Sequence, residues 1–147
     1  MGKRKDFDRA LYATYNALGC EIAKEYYKRK GIVLEDNPDE YGIDLIGKEI
    51  NVEVEVRDSW KDNIFPWKEV CILERKAKNI SGKTIFFIIN QLLTKAILVK
   101  DEHLKPEYLK EKPNRLVSEG EYFYHIPRDK TEIVDITEEK KSVADWM

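Results

Sequence analysis

A run of strict alternation at residues 51–57, NVEVEVR, constrains the fold of this chain more than any other feature. Valine occupies every second position, and glutamate or arginine follows each valine. Because successive side chains of a strand point to opposite faces, the run predicts a β-strand with one buried face and one charged face. Gly47-Lys48 supplies a turn before it, so the stretch Tyr41–Arg57 is predicted to be a β-hairpin.

The charged face of this hairpin is acidic. With the turn at Gly47-Lys48, Asp44 on the first arm is predicted to lie opposite Asn51 and to share its face with Glu53 and Glu55. Three carboxylates on one face repel each other unless a positive charge lies among them. A hard divalent cation with oxygen ligands meets that need. A half-exposed strand with solvated glutamates has the same alternation, so the residues leave both interpretations open.

Composition limits the class of protein. The chain has 147 residues, of which 42% are hydrophobic and 37% charged, and this favours one soluble globular domain over residues 1–147. No apolar run approaches the roughly 18 residues of a membrane span, and the basic N-terminus has no apolar segment behind it. Cys20 and Cys71 are isolated, as is typical of buried thiols in a reducing compartment, so we predict a cytoplasmic protein without a membrane partner. The net charge of −2 does not indicate a nucleic-acid binder, and such a role would depend on local patches.

The strongest predicted helix covers residues 6–30, with Asp6 as its N-cap and Gly31 as its C-terminal closure. Its core-facing stripe consists of Leu11, Tyr15, Leu18, Ile22 and Tyr26. Glu21 lies one step off this stripe. Its side chain either points into a cleft or is solvated and pairs with Lys24.

The remaining pattern predicts a strand at 31–36, a helix at about 67–79, near-continuous apolar strands at 83–90 and 95–100, β-structure at 121–127 and 132–136, and a final helical turn anchored by Trp146. The fold class is therefore α/β, a central mixed sheet flanked by helices in the order α-β-β-β-α-β. The core is expected over about residues 6–100, with a C-terminal elaboration at 101–147.

Two segments after the hairpin bear on nucleic-acid binding. The loop that carries Trp60, Phe65 and Trp67 is predicted to pack onto the sheet, with base stacking as the alternative. Beyond it, a basic cluster has the chemistry for phosphate contacts, although a solvated helix end is the simpler interpretation. The cluster consists of Arg75, Lys76 and Lys78. His103, one of two histidines, has no evident partner and is assigned no chemistry.

Taken together, these motifs resemble the restriction-endonuclease-like, or PD-(D/E)xK, nuclease superfamily, and in particular its small phage and archaeal resolvase-like or RecB-like nucleases. The segment Gly19-Cys20-Glu21-Ile22-Ala23 is similar to the G-x-E-x-A helix of those branches. Asp44 matches the aspartate of the first motif. Glu55-Val56-Arg57 matches (D/E)xK with arginine in place of lysine, and the alternative register Glu53-Val54-Glu55 resembles an ExE variant. The resemblance covers about residues 15–100.

The resemblance implies a restriction-endonuclease-like core and Mg²⁺-dependent hydrolysis of nucleic acid, with DNA the expected substrate, Mn²⁺ a substitute for Mg²⁺, and a homodimer the common assembly. Asp44 and Glu55 would hold the metal, which polarises the phosphate and lowers the pKa of a bound water. Glu53 or Glu21 would complete a second metal position or orient the water.

The arginine of the second motif changes what the resemblance implies. Arg57 can stabilise developing charge but cannot act as a base, because its guanidinium stays protonated. Lys76 is the candidate for a lysine supplied from elsewhere, and Arg75 and Lys78 would join it on the phosphate backbone. Two alternatives remain: a catalytically inactive module of the same fold that binds nucleic acid or protein, and an unrelated α/β protein whose strand is a solvated face.

Overall fold

The computed structural model describes the backbone of residues 2–39, 42–78, 80, 82–114 and 117–144, and the side chains of residues 15–39, 42–78, 80, 82–112 and 121–144. Within these ranges the helices are α1 (Gly2–Lys28), α2 (Glu74–Ala77) and α3 (Thr137–Ala144). The strands are β1 (Leu34–Asp36), β2 (Leu45–Gly47), β3 (Asn51–Arg57), β4 (Glu69–Leu73), β5 (Thr84–Asn90), β6 (Lys95–Lys100), β7 (Leu109–Asn114), β8 (Val117–Pro127) and β9 (Glu132–Asp135). Tyr41 and Trp146, at which sequence analysis placed the start of the hairpin and a C-terminal anchor, lie outside the described residues.

The strands form two sheets. In the described residues a central sheet has the order β1-β2-β3-β5-β6-β9, and a second sheet has the order β4-β8-β7. Strands β3 and β5 are parallel, and the other neighbours in the central sheet are antiparallel. The predicted α/β class with a mixed central sheet is therefore confirmed.

The two faces of the central sheet pack against different elements. Val52, Val54 and Val56 of β3 share one apolar cluster with Ile22 of α1 and Val143 of α3. Alternate residues of β5 point the other way and pack, together with the 58–68 loop, against the second sheet. The predicted flanking helices therefore lie against one face, and the second sheet, which the sequence did not predict, covers the other.

Helix α1 lies very close to the central sheet. A Cβ at Gly19 would stand 3.1 Å from Val56 Cγ2 and 3.2 Å from a methyl group of Val54, so glycine permits this approach. The helix ends in a Schellman motif: Gly31 has a φ of 83°, its N–H bonds the Lys28 carbonyl, and the Ile32 N–H bonds the Tyr27 carbonyl. The predicted helix is confirmed in type and closure, although it begins at Gly2 rather than at Asp6.

The predicted helix at 67–79 is wrong. Residues Glu69–Leu73 form β4, in which buried Val70 and Ile72 alternate with half-buried neighbours, and only the single turn of α2 follows. Strand β4 pairs antiparallel with β8, with Val70 opposite Ile126. This distant pairing decides the conformation, since a short apolar run bounded by charges fits either a strand or a helix. The order α-β-β-β-α-β is corrected accordingly, because a strand and one helical turn stand where a helix was expected.

The C-terminal segment contributes to the main core. Strand β9 pairs with β6 at the edge of the central sheet, and Ile136 and Val143 after it are buried against α1. No helix in the described part of the chain combines the length and apolar character needed to cross a membrane.

Candidate metal and nucleic-acid site

The hairpin of β2 and β3 positions the first two carboxylates. Leu45 pairs with Val52 and Ile46 with Asn51, so continuing this register places Asp44 beside Glu53. The predicted pairing of Asp44 with Asn51 is therefore wrong by two residues. Because a two-residue shift keeps every side chain on its original face, Asp44 and Glu53 still share the face that the alternation predicted.

Asp44 and Glu53 are in direct contact. The Asp44 N–H donates to Glu53 Oε2 at 3.4 Å, and the Val54 N–H donates to Asp44 Oδ2 at 2.8 Å. Burial, and then the charge on Asp44, raises the pKa of Glu53 to about 7, although the Lys76 ammonium acts in the opposite direction. Both causes disfavour the charged form of Glu53, and a cation bound beside the pair would favour it.

Glu55, two residues along the same face, has a contrasting environment. Arg57 Nε lies 2.6 Å from Glu55 Oε2, and Lys76 Nζ lies 3.5 Å from Glu55 Oε1. Burial alone would raise the pKa of Glu55, but the Arg57 guanidinium and then the Lys76 ammonium outweigh it and lower the pKa below its ordinary value. Glu55 is therefore neutralised by protein cations, whereas Glu53 is not.

The two cations of this cluster come from different elements. Arg57 ends β3, and its Nη2 also donates to the Cys71 carbonyl of β4 at 3.0 Å, which fixes the guanidinium between the two sheets. Lys76 comes from α2, the single turn after β4, and its charge acts on both Glu53 and Glu55. The structure thus brings Lys76 to the carboxylates, as expected for a lysine supplied from outside the second motif.

Glu21 forms its ion pair within α1 and not with this group. Helix α1 covers the valine face of β3, and Glu21 pairs with Lys24 at 3.0 Å, which in turn lies 3.2 Å from Asp36. No contact among the described side chains joins Glu21 to Asp44, Glu53 or Glu55. The geometry matches the solvated pairing with Lys24 that sequence analysis left open.

The other predicted phosphate-binding residues are exposed and paired. Arg75 Nη2 lies 3.1 Å from Glu121 Oε2, and Lys78 Nζ lies 3.8 Å from Glu74 Oε1. Both side chains flank Lys76 at the surface. An exposed ion pair of this kind is weak, so each cation remains able to exchange its partner for a phosphate.

A cleft of about 860 Å³, which the sequence did not predict, adjoins Glu55, Arg57 and Lys76. It lies between the end of β3 and the second sheet, and its lining includes Trp67, Lys68, Cys71, Lys112, Phe123 and His125. Only the pairing of β4 with β8, which sets Cys71 opposite His125, brings these residues together.

Cys71 and His125 do not form a nucleophilic pair. Cys71 Sγ and Glu69 Oε1 both lie 3.5 Å from the same ring nitrogen, His125 Nδ1. Burial raises the pKa of the Cys71 thiol despite the nearby charges of Lys112 and Arg57. A thiol activated for catalysis needs the opposite shift, so the pair is part of the cleft wall.

A small, incompletely neutralised carboxylate pair suits magnesium. In the described side chains, no group of three or more His, Cys, Asp or Glu residues is arranged to hold a metal ion. Mg²⁺ keeps several waters and commonly takes only one or two protein carboxylates. Asp44 and Glu53 provide two such groups on adjacent strands, so the residues fit Mg²⁺, while Glu55 is held by Arg57 and Lys76.

No protein-family model matches the chain, and no curated protein is significantly similar to it. Any functional assignment therefore depends on the geometry of the site.

Proposed function

We propose that this protein is a metal-dependent nuclease that hydrolyses phosphodiester bonds of nucleic acid, with DNA the expected substrate, on a restriction-endonuclease-like core. The observation that carries the proposal is the contact between Asp44 and Glu53, at which burial and then the Asp44 charge raise the pKa of Glu53 to about 7 and the Lys76 ammonium acts in the opposite direction. Such a perturbed carboxylate with a specific charged neighbour is characteristic of functional sites.

Each side chain has a role in this proposal. Asp44 and Glu53 would hold Mg²⁺ or Mn²⁺, and the bound ion would polarise the scissile phosphate and acidify a water. Lys76 would stabilise the charge that develops on the phosphate. Glu55 is a positioning residue, since it orients Lys76 and is itself fixed by Arg57. Arg57 remains protonated and therefore takes no part as a base.

The arrangement of elements supports the same proposal. A helix precedes an antiparallel three-stranded unit, β1-β2-β3, and a parallel strand, β5, follows. The aspartate stands just before β2, and the Glu-Val-Arg motif ends the adjacent β3. This order agrees with the one that the resemblance to the PD-(D/E)xK superfamily implies as far as β3. Between β3 and β5, the strand β4 and the single turn α2 stand where the resemblance implies a helix.

A cleavage assay tests the proposal. Linear, circular and branched DNA are incubated with the protein in Mg²⁺, Mn²⁺ or EDTA. We expect cleavage with either metal, no cleavage in EDTA, and loss of cleavage in Asp44→Asn and Glu53→Gln. Glu49→Gln, in the exposed turn between β2 and β3, is the matched carboxylate control and should cleave normally. Equal activity in all variants would contradict the assigned roles.

A second candidate function is a non-catalytic module that binds nucleic acid. The observation that favours it is the pairing of Glu55, the motif glutamate, with Arg57 and Lys76. These two cations neutralise the carboxylate and occupy the place that a catalytic metal ion would take. In that case, gel shifts would show binding of nucleic acid without cleavage in either metal.

A further inference from the structure

Trp67 differs from the other aromatic residues of the 58–68 loop. Trp60 and Phe65 are buried, as predicted, whereas Trp67 remains 40% exposed. Its ring packs at a steep angle on Phe65, with 5.1 Å between the ring centroids. Trp67 also lines both the 860 Å³ cleft and a neighbouring cleft that includes Pro66 and Arg128. The indole is thus held by its contact with Phe65 and is accessible from both clefts.

The lining of the cleft beside Trp67 has one more cation than it has carboxylates. Arg57 and Lys76 in its lining are bound to Glu55, but Lys68 and Lys112 have no ion-pair partner among the described residues. Lys112 instead lies over the Phe123 ring, with Nζ 5.8 Å from the centroid. The lining carboxylates are Glu55, Asp58 and Glu69. A lining with a net positive charge, in which Lys68 and Lys112 are not held by an ion pair with any described residue and lie beside exposed aromatic surface, matches an anion that bears an apolar ring.

A nucleotide has that chemistry, and the cleft lies where a strand entering the proposed site would pass. The same cleft is lined by Glu55 and Lys76, and Lys76 acts electrostatically on Glu53. A base that is paired and stacked in a duplex offers no free face to an indole, whereas an unpaired base does.

We propose that the cleft binds an unpaired nucleotide of single-stranded nucleic acid, with its base stacked on Trp67 and its phosphates contacted by Lys68 and Lys112. This inference deepens the proposed function, on which it rests for the reaction, by naming single-stranded or unpaired segments as the substrate class. The backbone of the bound strand would then lie beside Lys76 and the carboxylate pair.

Fluorescence anisotropy in EDTA tests this binding without cleavage. The probes are fluorescein-labelled 20-nucleotide oligothymidylate, the corresponding oligouridylate, and a duplex of the same length. We expect the single strands to bind about tenfold more tightly than the duplex, and Trp67→Ala to weaken single-strand binding by about tenfold, in line with the loss of one stacked base. Trp67→Phe should retain most of the affinity. Comparison of the two single strands distinguishes DNA from RNA.

Two further variants separate stacking from charge and from non-specific effects. Ile64→Ala alters a 73% exposed residue of the same loop that lies outside the cleft, and its binding should equal that of the wild type. The double variant Lys68→Ala/Lys112→Ala should lower the slope of log K against log salt concentration by about 0.7 for each lost phosphate contact on a single strand.

The outcomes distinguish this inference from the proposed function. Equal affinity for duplex and single strand, with no effect of Trp67→Ala, would overturn the inference even if the protein cleaves DNA. Single-strand preference that depends on Trp67, without cleavage in Mg²⁺ or Mn²⁺, would support the inference and overturn the nuclease function. Unchanged affinity and salt slope in the double lysine variant would also overturn the assigned phosphate contacts.

Discussion

Replacing Glu53 by glutamine should stabilise the protein above neutral pH. The folded state raises the pKa of Glu53 from 4.5 to about 7, so it holds the proton more tightly than the unfolded chain. The wild type therefore loses stability as the pH rises from about 4.5 to about 7 and gains none of it back at higher pH. Glutamine has no charge to lose, and its amide can both accept from the Asp44 N–H and donate to the Asp44 carboxylate.

The size of the effect follows from the pKa. The interval from 4.5 to about 7 corresponds to about 3 kcal/mol at 1.36 kcal/mol per pH unit. Because Glu53 is partly exposed, solvent screening reduces this to about 2 kcal/mol. We expect the free energy of unfolding of Glu53→Gln to exceed that of the wild type by this amount at pH 8. At pH 5, where Glu53 keeps its proton in the folded wild type, the difference should be less than about 1 kcal/mol.

Urea denaturation in EDTA at pH 5 and pH 8 measures the difference. Glu55→Gln is the matched control, since Arg57 and Lys76 lower the pKa of Glu55 and its charge therefore stabilises the fold. That contribution is present above the ordinary pKa and is lost only as the pH falls through the lowered one, so Glu55→Gln should be destabilised at both pH values. Adding Mg²⁺ at pH 8 should stabilise the wild type and leave Glu53→Gln unchanged. An equal difference between Glu53→Gln and the wild type at both pH values would refute the reasoning.

Three further substitutions test the packing that supports the site, each by urea denaturation. Asn90→Ala should lower the free energy of unfolding by about 3 kcal/mol. The buried amide of Asn90 donates to the Asp62 carbonyl and Thr94 Oγ1 and accepts from two backbone N–H groups. A loss below about 1 kcal/mol would show that these hydrogen bonds are not maintained. Tyr27→Phe should be neutral or stabilising, since the Tyr27 hydroxyl is buried without a hydrogen-bond partner in the described part of the chain. A clear destabilisation would reveal an unrecognised partner. Gly19→Leu should lower the free energy of unfolding by at least about 2 kcal/mol, because the leucine would force α1 away from Val54 and Val56. A variant as stable as the wild type would contradict the close approach of α1 to the sheet.

The sequence predicted those elements whose pattern allows one conformation. Alternation of valine and charge identified β3, and the near-continuous apolar runs at 83–90 and 95–100 identified β5 and β6, because such runs suit strands buried on both faces. The stripe on α1 and the closure at Gly31 identified that helix. Strand β4 was missed because its partner β8 lies far along the chain: Cys71 and His125 are 54 residues apart. Local pattern carries no information on such a pairing.

The candidate site was predictable in part for the same reason. The hairpin alone placed Asp44, Glu53 and Glu55 on one face, and an error of two residues in the register left that face unchanged. The different states of the two glutamates were not predictable. They depend on Arg57 reaching the Cys71 carbonyl and on α2 placing Lys76 over β3, and both follow from the second sheet. The cleft beside Trp67 was missed because that sheet forms most of its wall.

Anomalous diffraction from crystals soaked in Mn²⁺ tests the central claim most directly. We predict one Mn²⁺ peak between the carboxylates of Asp44 and Glu53, within coordination distance of an oxygen from each, and its disappearance in crystals of Glu53→Gln. Absence of a peak at this pair in the wild type, or a peak that persists unchanged in Glu53→Gln, would contradict the assignment of these carboxylates as the metal site.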